Sequence, residues 1–303
     1  MSETPHILIA ENSKHPLKKL ADLLKSEGYH IGVSHSGEDA FSTLVDHTSQ
    51  YHAIILDHRT PDNKEHALLT KISTASSLKT LPIILIVPDT HQNTLRDAIQ
   101  RGAHYCLSED ASSDHALQII QAAIRRNLSY RELQNLSPTT SYPMMQYLIF
   151  GEFQVKTLGE AQDLARGLST ICPNPNLAVV GISELLINAI EHGNLAITYA
   201  EKSQYKRDNT WEAKITERQK EPKHRHKTVD VQFKKTETEF IIQITDQGAG
   251  FDSKKVIDLN PERLLDTHGR GIMMARNLVF KDLVYSPKGN QVTVVIPQRR
   301  ATQ

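Results

Sequence analysis

The sequence predicts an α/β protein of two consecutive domains, a doubly wound parallel sheet followed by an α/β sandwich. Over the first ~125 residues short apolar runs alternate with amphipathic stretches, as in a parallel sheet wound with helices. A polar stretch that contains prolines, residues 129–143, then interrupts this pattern. Beyond it, a long amphipathic helix precedes short runs that alternate like paired antiparallel strands.

Length and composition restrict the class of protein. A chain of 303 residues is long enough for two domains. Its 35 basic and 35 acidic side chains cancel, and no apolar run reaches the ~18–20 residues that span a bilayer, so we expect neither nucleic-acid nor membrane binding. The N-terminus shows no signal-peptide pattern, and the two cysteines form no metal motif or disulfide framework. These features predict a cytoplasmic protein.

The first predicted domain covers residues 1–127 and alternates strands with helices. The predicted strands are His6–Ala10, His30–Ser34, Ala53–Leu56, Ile83–Val87 and Tyr105–Leu107. The predicted helices are Leu17–Glu27, Gly37–Leu44, Thr94–Arg101 and His115–Leu128. Residues 128–146 are polar and carry no clear period, which predicts a linker.

The second predicted domain covers residues 147–303. Its predicted strands are Tyr147–Val155, Val229–Phe233, Glu239–Thr245, Asp282–Tyr285 and Gln291–Pro297, with helices at Leu158–Ile171 and Leu177–His192. Residues 200–228 are strongly charged and are expected to form a solvated insertion rather than core. A plain solvated loop and a partner-binding or regulatory element are both open interpretations of that insertion.

The first candidate site lies on the long helix, whose sequence includes ISELLINAIEHGN. Glu184 and Asn188 are four positions apart and share one helical face, whereas Ile187 and Ile190 are expected to point toward a core. A carboxylate and an amide on one face suit a magnesium–phosphate site, because magnesium prefers hard oxygen ligands. Glu184 is also able to accept a hydroxyl proton. An ordinary exposed face is the alternative for this pair taken alone.

Two glycine-rich segments follow in the same half. Asp246 comes directly after a strand and begins DQGAGF, in which Gly248 and Gly250 allow backbone to pass close to a base or phosphate. His268 begins HGRGI at the start of a helix, where amide groups and a positive dipole face a phosphate. Each segment alone is typical of a turn or a cap. The three motifs in this order favour a nucleotide site.

Together these motifs resemble the three boxes of the histidine-kinase-like (GHKL) ATPases, whose fold is the Bergerat α/β sandwich, over roughly residues 148–298. The resemblance implies ATP and Mg²⁺ as cofactors, with Asn188 as metal ligand, Asp246 as partner of the adenine amine and Glu184 as catalytic base. Its implied lid and phosphate contacts are Gly248, Gly250, Gly269, Arg270, Gly271 and Ile272. His192, four positions after Asn188, either faces the phosphates or serves packing and capping.

Within that family the chain resembles the serine kinases that act as anti-sigma factors. The stretch Tyr130–Leu148 contains no histidine and is too short for a dimerising helical pair with a phosphoacceptor, and the lid region Asp252–Thr267 is short. This branch implies phosphoryl transfer from ATP to a serine or threonine of a small anti-anti-sigma-like protein. The alternatives are a non-catalytic ATP-gated module that sequesters a sigma factor or other partner, an adaptor without chemistry, and a histidine kinase acting in trans.

Three oxygen-bearing side chains are predicted to meet at one edge of the N-terminal sheet. Glu11 and Asn12 follow the first strand and Asp57 ends the AIIL strand, and strand ends of a doubly wound sheet converge on one crevice. A turn-capping aspartate is the alternative for Asp57 alone. ILIAEN, IILDHRTP and GAHYCL resemble the flavodoxin-like receiver domain of response regulators over residues 5–127. The resemblance implies Asp57 as phosphoacceptor and Glu11, Asn12 and Asp57 as magnesium ligands.

The receiver resemblance is degenerate at three positions. Val87 stands in place of the switch hydroxyl, Glu109 in place of the phosphate-binding lysine and Cys106 in place of the switch aromatic. Without the lysine, an acyl phosphate on Asp57 lacks a charge partner and Glu109 repels it. Phosphorylation by an upstream histidine kinase and a pseudo-receiver that supports homodimerisation or docking both stay open. In either case we predict a two-component-type signalling protein whose first domain controls the second.

Overall fold

The structure, a computed structural model, divides into two compact units between Arg131 and Glu132. The residues that it describes are 4–14, 17–61, 67–75, 77–88, 91–135, 143–208, 210–251 and 279–298. No helix within these ranges is long and apolar enough to cross a membrane.

The first unit contains a parallel sheet with the strand order β2-β1-β3-β4-β5. Its strands are β1 (His6–Ala10), β2 (His30–Ser34), β3 (Tyr51–Asp57), β4 (Ile83–Val87) and β5 (Tyr105–Ser108). This is the flavodoxin-like order of a doubly wound sheet, which confirms the predicted fold class. Because every residue of β3 and β4 is buried, these two strands form continuous apolar runs rather than alternating ones.

Helices connect these strands, and five lie within the described part of this unit: α1 (Lys18–Ser26), α2 (Gly37–Asp46), α3 (Ala67–Thr74), α4 (Gln92–Gln100) and α5 (Ser113–Asn135). Helix α3 has no counterpart among the predicted helices. Helix α5 packs Ile119, Ile120 and Ile124 into a core shared with Ile7 and Ile9 of β1. That burial explains why the sheet requires α5 on this face.

Helix α5 continues further than the sequence pattern predicted. The prediction of a linker from residue 128 is wrong for residues 128–135, which are helical. Asn127 donates to the Thr80 carbonyl at 3.1 Å, and Arg131 donates to the carbonyls of Ser49 and Tyr51. These polar contacts hold the helix past its last apolar turn, which is why apolar periodicity does not detect it. Residues 136–142 of the predicted linker lie outside the described residues.

The second unit contains an antiparallel sheet with the strand order β6-β7-β8-β10-β9. Its strands are β6 (Phe150–Val155), β7 (Val229–Lys235), β8 (Glu239–Thr245), β9 (Asp282–Tyr285) and β10 (Gln291–Pro297). Burial alternates along β7, β8 and β10, so one face of the sheet is covered and the other is not. The sheet and its helices are consistent with the predicted GHKL-type α/β fold.

Helices α6 (Leu158–Ser169) and α7 (Pro175–Asn188) pack against each other in this unit. A capping box between Thr157 and Glu160 begins α6, and two backbone N–H donors lower the pKa of the Glu160 carboxyl. Asn174 caps α7 through the Leu177 amide. Helix α7 buries nearly its whole circumference, and a short π-helical segment, Ala189–Asn194, continues it.

The charged segment that sequence composition marks as a solvated insertion is largely helical. It contains α8 (Tyr199–Arg207) and α9 (Trp211–Lys220), which we call the α8–α9 segment (residues 199–220). Arg218 of α9 donates to the Glu201 carboxylate at 2.7 Å, and Ile215 is buried. The plain-loop interpretation is therefore wrong for this segment, whereas most of its described side chains are at least partly exposed, as expected of a solvated insertion.

Candidate functional site

Helix α7 presents one less buried face. Glu184, Ile187 and Asn188 are half-buried, whereas their neighbours on α7 are buried. The expected pairing of Glu184 with Asn188 on one face is therefore present. The expectation that Ile187 points into a core is wrong, because it shares this half-exposed face; Ile190 is buried as expected. A carboxylate and an amide thus share the half-buried face of a helix whose other sides are largely apolar.

The helix widens into π geometry directly after Asn188. The amide of Leu195 donates to the Ile190 carbonyl at 2.9 Å across the segment Ala189–Asn194. Single π turns are frequent at functional sites. His192 Nδ1 donates to the Ile197 carbonyl at 2.6 Å, which fixes the imidazole beside this turn. Although 38% of the side chain is exposed, desolvation lowers the pKa of His192, so the neutral ring is favoured.

The π-helical segment lies directly against the first glycine box. A Cβ at Gly193 would lie 2.3 Å from Asp246 Cγ, and a Cβ at Gly248 would lie 2.4 Å from the Gly193 carbonyl oxygen. The Gln247 amide donates to Asn194 Oδ1 at 2.7 Å. The motif on the helix and the motif after β8 therefore form one continuous structure, because glycine at these positions allows the two backbones to touch.

Asp246 lies within a network of backbone contacts. Its Oδ1 accepts from the Gly248 amide at 2.8 Å, and its backbone exchanges hydrogen bonds with Asn290. Desolvation raises the pKa of the Asp246 carboxyl, although the Gly248 amide and Lys288 oppose that shift. Burial and the nearby Asp246 carboxylate raise the pKa of Tyr285. A desolvated carboxylate with unused acceptor capacity is suited to bind an exocyclic amine.

We expect a pH dependence of nucleotide affinity that follows from this shift. Protonated Asp246 no longer accepts a hydrogen bond from adenine, so ATP affinity should fall as pH falls through the raised pKa. The decline should begin at a higher pH than an ordinary aspartate would give, and approach about tenfold per pH unit below the pKa. Calorimetric titration of ATP across acidic pH measures this. Asp246→Asn is the control, because its affinity should lack this component.

In the unliganded protein, the pH dependence of stability due to Asp246 should have the opposite sign to the pH dependence of ATP affinity. The folded state holds the Asp246 proton to a higher pH than the unfolded chain does, so it binds more protons within that window. The free energy of unfolding contributed by this group therefore falls as pH rises through the window. If the difference in free energy of unfolding between wild type and Asp246→Asn did not change across acidic pH, the pKa of Asp246 would not be raised, and the expectations for stability and for ATP affinity would both be contradicted.

The glycine box ends in a turn that only glycine accommodates easily. Gly250 has φ +81°, and a Cβ there would lie 2.0 Å from the Lys288 carbonyl oxygen. Phe251 then packs edge-to-face on Tyr285, with ring centroids 5.0 Å apart. The second glycine box, with Gly269, Arg270, Gly271 and Ile272, and the lid region Asp252–Thr267 lie outside the described residues.

A buried carboxylate on the π-helical segment holds the α8–α9 segment in place. Glu191 is fully buried; Lys202 forms an ion pair with it, and Trp211 Nε1 donates to Glu191 Oε1 at 2.9 Å. The Thr198 amide and Arg218 lower the pKa of Glu201 to about 2, which keeps the start of α8 charged and capped. The charged composition of this segment thus serves specific ion pairs beside the candidate site.

Sequence reasoning missed three residues of this site. Gly193, Asn194 and Glu191 all fall within the ISELLINAIEHGN motif, but only contacts with distant residues reveal their roles. A local signal for the α8–α9 segment did exist, since Thr198 and Glu201 have capping-box spacing. No local signal pairs Glu191 with Lys202 or Trp211.

In the first unit, the predicted acidic residues lie at the carboxyl ends of adjacent strands. Asp57 is fully buried at the end of β3, and Thr60 Oγ1 bridges the carbonyls of Ala10 and Asp57 at 2.8 and 2.7 Å. Glu11 Oε2 accepts from the Leu17 amide at 2.6 Å. Asn12 donates to the Arg59 carbonyl at 3.0 Å. The three predicted magnesium ligands are therefore placed at one sheet edge, and each already has a protein partner.

Arg59 supplies the charge partner that Asp57 was expected to lack. Its Nε and Nη2 donate to Asp57 Oδ1 and Oδ2 at 3.0 and 2.8 Å, and its Nη1 lies 3.5 Å from Glu109 Oε2. The hydrogen bond to Asp57 raises the pKa of the guanidinium. The inference that loss of the lysine leaves Asp57 without a cation is therefore wrong, because a residue two positions along the chain compensates for it.

Comparison with known proteins agrees with this division. Residues 7–121 match the family model of the response regulator receiver domain, and residues 176–296 match that of the histidine kinase-like ATPase domain. The two-component response regulator ORR3 of Oryza sativa subsp. indica is 27% identical over 100 residues, covering 33% of this chain and 75% of that protein. The protein of the same name from Oryza sativa subsp. japonica matches equally.

Solved structures also resemble part of the chain. A putative response regulator from Chloroflexus aurantiacus J-10-fl is 18% identical, with a TM-score of 0.37, and the match covers 41% of this chain and 99% of that one. The receiver domain of an HD domain-containing protein from Pseudomonas fluorescens Pf-5 is 20% identical, with a TM-score of 0.38, covering 44% and 95%. By the family matches, the chain contains a response regulator receiver domain and a histidine kinase-like ATPase domain, and this combination supports a role in two-component-type signalling.

Proposed function

We propose that the ATPase domain binds Mg²⁺–ATP and transfers its γ-phosphoryl group to a serine or threonine of a small partner protein, in the manner of the anti-sigma-factor kinases. The observation that carries this proposal is the continuity of the site. The half-exposed Glu184 and Asn188 lead through the π-helical segment to Gly193, which lies against Asp246. In this proposal the same structural unit supplies the base, the metal ligand and the adenine acceptor.

In this proposal each residue has a separate task. The Asp246 carboxylate accepts from the adenine amine, and the Asn188 amide oxygen holds the magnesium ion. The ion, when bound, neutralises charge on the triphosphate. The partner hydroxyl oxygen forms a bond to the γ-phosphorus, and the bond to the β,γ-bridging oxygen breaks as ADP leaves. The hydroxyl proton passes to the Glu184 carboxylate, which accepts it as general base.

The receiver domain is the regulatory input in this proposal. Asp57 is the proposed phosphoacceptor for an upstream histidine kinase, with Glu11, Asn12 and Asp57 as magnesium ligands. Arg59 favours phosphorylation of Asp57, because its guanidinium already binds both carboxylate oxygens and is able to bind the phosphoryl group of an acyl phosphate in place of the absent lysine. The negative charge of Glu109 beside Arg59 opposes it. The alternative is that the receiver domain regulates the ATPase domain through dimerisation, without phosphorylation of Asp57.

The experiment that tests the proposed function uses the full chain with labelled ATP. Calorimetry should give saturable Mg²⁺–ATP binding that weakens in Asp246→Asn and in Asn188→Ala. Phosphoryl transfer is then followed with small anti-anti-sigma-like proteins from the source organism as candidate acceptors. Glu184→Gln should keep ATP affinity and lose transfer by about 10²–10⁴-fold, the usual contribution of a general base.

The outcomes separate the proposed function from its competitors. Acid-stable phosphoserine or phosphothreonine on the acceptor supports the kinase, and acid-labile phosphohistidine would indicate a histidine kinase acting in trans. If the protein bound a partner in an ATP-dependent way without phosphorylating it, and Glu184→Gln bound the partner equally well, the domain would be a sequestering module rather than a kinase. A folded wild type that binds no ATP would exclude both.

A further inference from the structure

A group of three metal-binding side chains lies beside the receiver site and uses residues outside the predicted magnesium set. Asp57 and His58 come from the end of β3, and Glu109 directly follows β5. One ligand atom from each lies within 4.8 Å of the others. His58 Nδ1 is 3.4 Å from Asp57 Oδ1 and 3.4 Å from Glu109 Oε1. The imidazole nitrogen is thus equidistant from an oxygen of each carboxylate.

The nitrogen at the centre of this group lacks a hydrogen bond. His58 Nδ1 is inaccessible to solvent and has no hydrogen-bond partner among the described residues, although 24% of the side chain is exposed. A buried nitrogen of this kind costs free energy unless an ion or water satisfies it.

Arg59 contacts both carboxylates of this group. Its Nη2 donates to Asp57 Oδ2 at 2.8 Å, and its Nη1 lies 3.5 Å from Glu109 Oε2, whereas Oδ1 and Oε1 face His58. The backbone amide and Nε of Arg59 also reach Oδ1, at 2.8 and 3.0 Å. Ligating carboxylates are commonly oriented by such outer hydrogen bonds. One guanidinium leaves one of the two carboxylate charges uncompensated, which attracts a cation.

We propose that Asp57, His58 and Glu109 bind a late first-row divalent cation such as Zn²⁺. Bond lengths of about 2.0–2.2 Å place neighbouring ligand atoms of a tetrahedral zinc site roughly 3.3–3.6 Å apart, and both distances from His58 Nδ1 fall in that interval. Three protein ligands leave a fourth position for water. An imidazole ligand disfavours magnesium, which prefers six oxygen ligands.

This site differs in composition from a magnesium site on Glu11, Asn12 and Asp57. Glu11 Oε2 and Asn12 Oδ1 already accept from the amides of Leu17 and Lys14 at 2.6 and 2.9 Å, whereas His58 Nδ1 has no hydrogen bond among the described residues. A cation on Asp57 Oδ1 occupies an oxygen of the proposed phosphoacceptor. The ion and a phosphoryl group therefore compete for Asp57, and the divalent ion is an input to the receiver domain in its own right.

The test titrates Zn²⁺ and Mg²⁺ into metal-free full-length protein by calorimetry. The variants are His58→Ala and Glu109→Gln, with His47→Ala and Glu38→Gln as matched controls at exposed positions of the same unit. Wild type and both controls should bind one equivalent of Zn²⁺ that the two site variants bind more than 10-fold more weakly, since loss of a second-shell partner alone costs about 10–100-fold. Circular dichroism verifies that the variants are folded.

Cobalt substitution gives a second readout. Co²⁺ at this site should show the visible absorption of tetrahedral coordination, and Glu109→Lys, which introduces a cation among the ligands, should abolish it. Zinc binding of equal stoichiometry and affinity in wild type, His58→Ala and Glu109→Gln would overturn the proposal. Preference for Mg²⁺ over Zn²⁺ at the site would overturn it as well.

Discussion

Lys202→Met is expected to destabilise the ATPase domain by about 3–5 kcal/mol, because it leaves a buried carboxylate without its cation. Glu191 is fully buried, and Lys202 is its ion-pair partner on α8. Methionine preserves most of the apolar stem of lysine, so the loss reports on charge rather than on packing. The Trp211 indole N–H, at 2.9 Å from Glu191, stays in place but cannot neutralise the charge.

Urea unfolding followed by tryptophan fluorescence measures this change with domain resolution. The chain contains one tryptophan, Trp211, so its emission reports on the ATPase domain even if the two units unfold separately. Lys214→Met on α9 is the matched control, because the Lys214 side chain is exposed and its ion-pair partner among the described residues is the neighbouring Glu217. Its unfolding midpoint should equal that of the wild type.

A double variant distinguishes the effect of the unpaired Glu191 charge from damage to helix α8 itself. Glu191→Leu combined with Lys202→Met removes both charges, and apolar replacement of a buried pair is often neutral. Most of the stability lost in Lys202→Met should therefore return, with a residual loss from the unpaired Trp211 N–H. Equal midpoints for Lys202→Met and Lys214→Met would show that the α8–α9 segment is not bound through Glu191.

The sequence predicts most of the strands because burial and periodicity are local properties. The apolar runs of β3 and β4 and the alternation of β7, β8 and β10 each reflect which face is covered. Apolar periodicity does not detect helices that are held mainly by polar contacts. The last turns of α5 and both helices of the α8–α9 segment depend on Arg131, Arg218 and Lys202, whose partners are 11 to 82 residues away in the sequence.

The candidate sites divide in the same way. Motif spacing predicts that Glu184 and Asn188 share a face, since spacing along a helix fixes direction. It does not predict that Gly193 contacts Asp246, because that proximity depends on how the π-helical segment packs on β8. Arg59 and His58 were likewise absent from the predicted receiver site. Their contacts with Glu109 depend on the pairing of β3, β4 and β5, whereas Asp57 is their close neighbour in the sequence.

Gly193→Ala is expected to weaken ATP binding by about 10–100-fold without unfolding the protein. The new Cβ would lie 2.3 Å from Asp246 Cγ, so the carboxylate must move away from its present position. Loss of one hydrogen bond to a charged group is worth about 1.5–3 kcal/mol, which corresponds to that change in affinity. Gly159→Ala is the matched control, because no atom in the described part of the chain lies within 4 Å of a Cβ there.

A nucleotide that lacks the exocyclic amine distinguishes displacement of Asp246 from general damage to the site. Purine riboside triphosphate cannot donate to Asp246, so the wild type should bind it more weakly than ATP by about the same factor of 10–100. In Gly193→Ala the two nucleotides should bind equally, since the carboxylate is no longer in place to discriminate. If Gly193→Ala weakened both nucleotides alike and kept their ratio, Asp246 would not be the adenine acceptor. Equal ATP affinity in Gly193→Ala and Gly159→Ala would instead mean that Asp246 tolerates the displacement, and that the contact between the π-helical segment and the glycine box does not position the nucleotide.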